Sequence, residues 1–337
     1  MATSIARIVV HDYSGHPGQA QLCRALAGRG YDVTHQHCPS YTTGRGAVER
    51  FPDDPPGLSF ETCAMRGKFK RYSVFGRVRQ EIAYGLQAGR AIEARSPEVA
   101  ILSNIPLLAN VLVARRLRHK GIAMIFWHQD IYSEAIGVAA RRRLPVIGGL
   151  AARVAEAVER TIARWSAAVV PISPTFLDKL TSWGVAEKAT VVPNWAPVGE
   201  LPLRPRHNAW SERMGLAQVP VVLYSGTLGL KHDPSILAAM VEELAVHRPE
   251  ARVVVISEGQ GRDWLENWRR ENRAQNLVLL DYQPYTDLPE VLATGDILVA
   301  ILEPDASKYS VPSKVLTYLC SGRPVVGVMP EDNSVAV

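Results

Sequence analysis

The sequence predicts an α/β protein made of two Rossmann-like, doubly wound domains that face each other across a cleft. Three observations predict it. Short apolar runs rich in Val, Ile and Leu alternate with amphipathic stretches from residue 6 to residue 328, the pattern of strands and helices in a parallel sheet. The alternation breaks once, over residues 196–216 (APVGELPLRPRHNAWSERMGL), where three prolines fall and strand signal is weak, and then restarts. The length of 337 residues suits about two domains of ordinary size. The expected division is 1–195, a linker at 196–216, and 217–337.

In the first half, ARIVVHDY (6–13) is a β-run closed by Ser14-Gly15-His16-Pro17-Gly18, turn formers that lead into an amphipathic helix from about Gln19 to Gly28. Tyr31 to His35 is the next strand. VAILSN (99–104) reads as a buried strand, followed by a helix through Arg116 and the strand AMIFWH (123–128). A long helical stretch from about Gly149 to Trp165 precedes the strand AVVPIS (168–173) and a helix from Thr175 to Trp183; ATVVPNW (189–195) closes the half. The second half runs VPVVLYSG (219–226), helix Asp233 to Val246, ARVVVISEG (251–259), helix Gly261 to Arg273, NLVLLDY (276–282) and helix Asp287 to Ala293. It ends with the strand Ile297 to Leu302, a polar loop, a short helix and the strand Val325 to Val328. Pro312 and Ser313 suit the start of that helix; Gly322 and Pro324 end it.

Composition narrows the partners. Hydrophobic residues make up 47% of the chain and mean hydropathy is −0.02, enough for a packed core in each half. No apolar run reaches the roughly 18 residues that span a bilayer, and MATSIAR passes into a strand without a signal-peptide pattern, so a cytoplasmic protein is expected. Cys23, Cys38, Cys63 and Cys320 form no C-x-x-C pair, which argues against a disulfide framework or zinc site. The net charge of +5 is clustered. Residues 65–79 (MRGKFKRYSVFGRVR) interleave six basic residues with aromatics and no acid; Arg115, Arg116, Arg118 and Lys120 form a second group, and Arg141-Arg142-Arg143 precedes the apolar LPVIGGL. Such segments suit an anionic membrane surface or, equally, a solvated helix face. No nucleic-acid-binding module is present.

Two motifs point to phosphate. In VPSKVLTYLCSGRPVV (311–326), Lys314 stands in the first turn of a helix at the carboxyl end of a parallel sheet, where unpaired N–H groups receive anions. A cation there opposes the helix dipole, so a local structural benefit does not explain it. In VVLYSGTLGLKHDPSIL (221–237), a strand ends in Ser225-Gly226-Thr227-Leu228-Gly229 and Lys231 precedes a helix. Glycines permit close backbone approach to phosphate and a lysine supplies a compact charge; an ordinary βα turn with an exposed lysine explains the same residues. The spacing is not that of a Walker A loop.

The 311–326 run resembles the donor-sugar signature of GT-B glycosyltransferases of the family 4 type, and within them the bacterial exopolysaccharide and colanic-acid-type branch, whose signature reads Pro-Ser-Lys, then Tyr, then Gly-(Arg/Lys)-Pro. The resemblance runs from residue 5 to the C-terminus. It implies a GT-B-like architecture and transfer of a sugar from a nucleotide diphosphate sugar to an acceptor, here a lipid-linked saccharide, with retention of configuration and no cofactor or obligatory metal. It implies an acceptor-side first domain and a nucleotide-sugar donor domain second, at the inner face of the membrane. It also implies catalytic roles for Lys231, as holder of the diphosphate, and His128, as sugar contact at a strand end. The implied donor site comprises Gly226, Thr227, Lys231, Gly259, Tyr282, Tyr309, Pro312, Ser313, Lys314 and Thr317. The acceptor-side loops hold Gly15, His16, Gly18 and Asp130.

Each of these residues has a plainer reading. His128 and Asp130 in IFWHQDIYSEA suit packing or exposure, Gly15-His16-Pro17-Gly18 suits a turn, Ser173 suits an N-cap, and Asn194 suits a turn at the end of the half. Many relatives carry two glutamates eight positions apart; counting back from Gly322 places them at Tyr309 and Thr317, neither acidic. Thr317 offers a weaker single hydrogen bond where relatives hold the donor ribose, which leaves ribose recognition and donor identity open. Glu303 and Asp305 fall too early to replace them, and Asp53-Asp54 lacks Asp-x-Asp spacing. Relatives continue beyond the equivalent of residue 337, so a truncated second domain is expected. The alternatives are a nucleotide-sugar epimerase or hydrolase of the same fold, for which no carboxylate pair is evident, and a catalytically silent binding subunit at the membrane.

Overall fold

Branched residues in the run after Ile5 form the first strand of the computed structural model, which describes residues 5–40, 45–65, 74–143, 145–229, 232–304, 314–331 and 333. The chain divides into two compact units, Met1–Asn194 and Trp195–Val337. In the first, β1 (Arg7–Asp12), β2 (Asp32–His37), β3 (Leu58–Thr62), β4 (Val99–Ser103), β5 (Ala123–His128) and β6 (Ala168–Pro171) make one sheet in the order β3-β2-β1-β4-β5-β6. Every pairing is parallel; Val9 faces Thr34 on one side and Ala100 on the other. The helices are α1 (Pro17–Gly28), α2 (Val74–Ala94), α3 (Leu107–His119), α4 (Tyr132–Arg143), α5 (Pro145–Trp165) and α6 (Leu177–Ser182). Helices on both faces explain why the central strands read as unbroken apolar runs: Val9, Val10, Ala100, Leu102, Phe126 and Val169 are all buried. Chain order reverses between β1 and β4, so their carboxyl ends form a switch-point crevice.

Three elements of this unit were not expected. β3 (LSFET) is a mixed-polarity edge strand after a proline-rich loop, and its pairing Val33 with Leu58 is long-range. α2 takes in the end of the basic segment: Arg77 is exposed and pairs with Glu81 at 3.0 Å, an i,i+4 solvated ion pair. Residues 66–73 of that segment lie outside the described residues. α4 forms a hairpin with α5, which starts earlier than expected, at Pro145. The helices approach so closely at Gly148 that a Cβ there would stand 2.6 Å from the Ala140 carbonyl carbon.

The second unit corrects the expected linker. The segment after Trp195 is folded onto this unit: α7 (Ala209–Arg213) is held by a capping box between Asn208 and Ser211. Trp210 is fully buried and donates its indole N–H to Gln283 at 3.1 Å. Arg206 binds Asp296 and the carbonyls of Leu216 and Val219. The sheet comprises β7 (Val221–Ser225), β8 (Arg252–Ile256), β9 (Leu277–Leu280), β10 (Ile297–Ile301) and β11 (Val325–Val328), all parallel, in the order β11-β10-β7-β8-β9. On one face lie α8 (Ser235–His247) and α9 (Gln260–Asn272), with Leu237, Val241 and Leu265 packed on Val253, Val255 and Ile301. On the other lie α7, α10 (Leu288–Thr294) and α11 (Lys314–Leu319), with Trp210, Val291 and Tyr318 packed on Leu223, Val254 and Leu298. The switch point falls between β7 and β10.

Candidate active site

The carboxyl end of β7 carries the densest polar construction of the second unit. β7 ends at Ser225, and the chain turns at Gly226 with φ +147°, a region that disfavours side chains. The turn is clamped from three sides. Tyr318, one turn into α11, donates its hydroxyl to the Ser225 carbonyl and accepts from the Ser225 N–H, both at 2.8 Å. Ser257, after β8, accepts from the Leu228 N–H at 3.0 Å. Tyr224 donates to the Thr227 carbonyl at 2.9 Å. Gly259 has φ +108° and Gly261 packs so tightly that its Cβ would stand 2.7 Å from Leu228. The Gly-x-Gly turn is therefore required by backbone conformation and by packing.

Lys314 reaches over this turn. Its Cε and Nζ lie 3.2 Å from where a Cβ on Gly226 would stand. Its ammonium donates to the Tyr224 hydroxyl and sits 4.0 Å from the centroid of the Tyr224 ring. Among the described residues no carboxylate pairs with it. Burial pulls the ammonium down to about 7 and holds the Tyr224 and Tyr318 hydroxyls well above their usual range. Thr227 is exposed and its hydroxyl meets that of Tyr282 at 2.6 Å. Thr317 is half-buried, three residues after Lys314. Gly229 and His232 are joined by two hydrogen bonds, of 3.1 and 3.2 Å, on either side of Lys231. Lys231, Tyr309, Pro312 and Ser313 lie outside the described residues. The structure thus brings Gly226, Thr227, Gly259, Tyr282 and Lys314 together around one turn.

The first unit's switch point is organised by Asp12, a residue without a distinctive sequence signal. Its buried carboxylate accepts from the Ser14 N–H at 3.3 Å, from the His16 N–H, and from the Asn104 amide at 2.9 Å. Asn104 follows β4 in a left-handed conformation, φ +55°, which asparagine tolerates. Burial pushes the Asp12 carboxyl above the usual carboxylate range, while His16, Asn104 and the two amides pull against it. Gly15 (φ +74°) and His16 therefore form a preset loop on the crevice between β1 and β4, and Gly18 stands in the first turn of α1.

His128 is a correction. Expected to face a ligand at the end of β5, it is fully buried, boxed by Phe126, Phe176 and Trp183. Its Nε2 lies 3.1 Å from Glu159 on α5, also fully buried. Glu159 accepts from the Tyr132 and Ser133 N–H groups at 2.9 and 2.8 Å, capping α4 from a neighbouring helix. The ring belongs to the interior because α5 supplies its partner from 31 residues away. Asp130 is half-buried in the loop that follows. Ser173 caps the turn after β6, accepting from the Thr175 N–H at 3.3 Å. Asn194 exchanges two side-chain hydrogen bonds with Gln129, at 2.8 and 3.1 Å, tying the end of this unit to the β5 loop.

Beneath the β1 loop lie three buried histidines. His11 Nδ1 meets Gln36 Oε1 at 3.3 Å and Nε2 meets the Tyr84 hydroxyl at 3.0 Å. Among the described residues His35 has no hydrogen-bond partner on either nitrogen. Burial lowers His11, His35 and His37 from 6.5 to about 4, 3 and 4. The unfolded chain binds protons that the folded one refuses between pH 6.5 and about 4. Stability is therefore full above pH 6.5 and lost on acidification. We expect the urea midpoint to fall between pH 7.5 and pH 5, and His35→Leu to flatten that slope; an unchanged slope in the variant refutes the assignment.

Comparison with known proteins follows the same division. A family model described as glycosyl transferase 4-like domain matches residues 16–195, and one described as glycosyl transferases group 1 matches residues 219–332. HepE of Anabaena, solved in complex with UDP and glucose, aligns with a TM-score of 0.64 at 16% identity, covering 96% of this chain and 80% of that one. Sucrose-phosphate synthase from Thermosynechococcus elongatus aligns at 0.66 and 16% identity, covering 97% and 82%. WaaG, a glycosyltransferase involved in lipopolysaccharide biosynthesis, aligns at 0.61 and 13%, covering 96% and 80%. At these identities the likeness is one of fold. No curated protein sequence matches the chain.

Proposed function

This chain belongs to the glycosyl transferase 4-like family, and from that premise we propose that it moves a sugar from a nucleoside diphosphate sugar to a lipid-linked saccharide, in exopolysaccharide or surface-glycan synthesis. The observation that carries the donor half of this reading is Lys314: a desolvated ammonium without an acid partner among the described residues, poised over a glycine turn at the β7/β10 switch point. A diphosphate supplies the missing charge. Thr227, Gly259 and Tyr282 border the same turn, and Lys231, two residues after it in the sequence, is the proposed second cation.

The donor unit is the second and the acceptor side the first, with Gly15, His16 and Asp130 on loops at strand ends and Gly18 at the start of α1. In the reaction the bond between the anomeric carbon and the diphosphate oxygen breaks as the acceptor hydroxyl bonds that carbon on the same face. The hydroxyl proton passes to the departing phosphate oxygen, so the configuration is retained without a side-chain base. Charge grows on the diphosphate in the transition state, where Lys231 and Lys314 stabilise it without a metal. His128 has no part in this, being enclosed with Glu159.

Contact with an anionic bilayer at the inner face of the cell membrane completes the reading. Residues 135–155 contain four arginines and no acid. Ile136, Leu150 and Val154 of the α4–α5 hairpin are exposed. No described helix is long and apolar enough to cross a membrane.

The test is a donor screen that follows nucleoside diphosphate release, with a membrane extract as acceptor source. Release with one donor class, unaffected by EDTA and lost in a folded Lys231→Ala variant, is the expected result. Turnover in that variant equal to wild type removes the diphosphate site from the proposal. Co-sedimentation with phosphatidylglycerol vesicles but not phosphatidylcholine vesicles is expected, and equal pelleting with both refutes the anionic surface.

A further inference from the structure

Resting on the donor site proposed above, we propose that Tyr224 is a positioning residue: it holds Lys314 over the turn at 226–229 without supplying a counter-charge, so that the ligand's phosphate completes the ion pair. The geometry is unusual for a lysine. Surface lysines keep their ammonium in water or on a carboxylate. Here the ammonium lies on the face of the Tyr224 ring, 4.0 Å from its centroid, while donating to the same residue's hydroxyl. That hydroxyl donates in turn to the Thr227 carbonyl at 2.9 Å. One side chain therefore sets both the position of the cation and the shape of the turn beneath it.

Among the described residues the ammonium has no other anchor. From β7 it faces Tyr224; on its own helix Tyr318 is occupied with the Ser225 backbone. Beyond Thr227 stands Tyr282, bonded to the Thr227 hydroxyl. Tyr224 and Tyr318 are the titratable groups of β7 and α11; Tyr282, His232, Glu258 and Glu303 stand on the neighbouring turns and strand ends. Burial holds the Tyr224 and Tyr318 hydroxyls protonated, and so uncharged, at neutral pH. A ring face and a neutral hydroxyl stabilise a cation less than a carboxylate does. The free protein accordingly holds Lys314 about half in its neutral form near pH 7 and mostly so by pH 8, and a diphosphate that enters restores the charge. Binding then takes a proton from solvent.

Proton uptake is a readout that a merely structural tyrosine does not move. The intact protein is titrated calorimetrically with UDP, GDP and ADP at about pH 8, where these ligands are fully ionised, in Tris and in HEPES. The difference in heat between buffers gives the protons taken up. Close to one proton per bound diphosphate is expected, falling toward zero near pH 6. Tyr224→Phe keeps the ring and removes the hydroxyl; it is expected to weaken binding about tenfold, the loss of one charge-assisted hydrogen bond, and to move the onset of uptake to lower pH. Lys314→Met, whose fold is checked by its melting temperature, is expected to show no uptake. Tight binding by wild type without proton uptake overturns the inference and leaves the proposed function standing, as does a Tyr224→Phe variant with unchanged affinity and onset. Absence of binding by wild type to any of the three removes the proposed function and this inference with it.

Discussion

Lys314→Met raises the melting temperature of the ligand-free protein and at the same time removes transfer. The two effects share a cause. A lysine that titrates at about 7 in the folded protein and about 10.5 in the unfolded chain is held by the unfolded state in the charged form it prefers. Between those values the unfolded chain carries a proton that the folded chain has released. The stability of the ligand-free protein therefore rises with pH across that window and is lowest below pH 7. Methionine has a similar length and no charge to desolvate, so it abolishes this slope. Differential scanning calorimetry at pH 6.5 and 9 reads it: the variant melts higher than wild type at both, by a clearly smaller margin at pH 9 than at pH 6.5. The same substitution removes a preorganised cation from the departing diphosphate, a loss expected to cost about 10²–10³ in kcat/KM. A variant that melts lower than wild type at pH 6.5 contradicts the assignment of Lys314 as a strained functional residue.

Glu159→Ala is expected to destabilise the first unit by about 3–5 kcal/mol, the cost of breaking a buried hydrogen-bonded pair. Three groups lose their partner at once: His128 Nε2 and the amides of Tyr132 and Ser133. The start of α4 then loses the acceptor of one buried amide, that of Ser133, and of one part-buried amide, that of Tyr132, the buried one being the costlier in a dry interior. Urea unfolding followed through tryptophan fluorescence measures it, since Trp127, Trp165 and Trp183 all lie in this unit. Glu159→Gln, which keeps one acceptor oxygen, is expected to lose less. His128→Ala is expected to lower stability in step with Glu159→Ala. A His128→Ala protein as stable as wild type but inactive restores the ligand-contact reading that the burial of the ring argues against.

The contrast between Lys314 and His128 shows how much of the site is legible in a sequence. Both stand at strand or helix ends beside a switch point, and both are residues that bind ligands. Lys314 was identifiable because its position opposes local energetics: a cation at a helix start has no structural benefit there. His128 carries no such contradiction, and its partner Glu159 sits within a helix where an acid at the surface looks the same as an acid in the core. Asp12 and Tyr224 were missed for a related reason. An aspartate at a strand end and a tyrosine within a β-run are ordinary residues until the amides of Ser14 and His16, or the ammonium of Lys314, are folded onto them.

The alternation of apolar runs and helices determined by itself that this chain folds as parallel α/β units, because strands covered on both faces must be apolar throughout and the crossovers between them must be amphipathic. The glycine turn after β7 and the lysine at the start of α11 were likewise written into the residues, each a local departure from what a strand or helix prefers. Only the tertiary structure decided that 196–216 packs as part of the second unit, that β3 and the α4–α5 hairpin exist, and that His128 faces inward. Those outcomes rest on pairings between residues far apart in the chain, such as Trp210 with Gln283, Val33 with Leu58 and His128 with Glu159. The stability of such a pair comes from shared burial, a property that neither residue has alone.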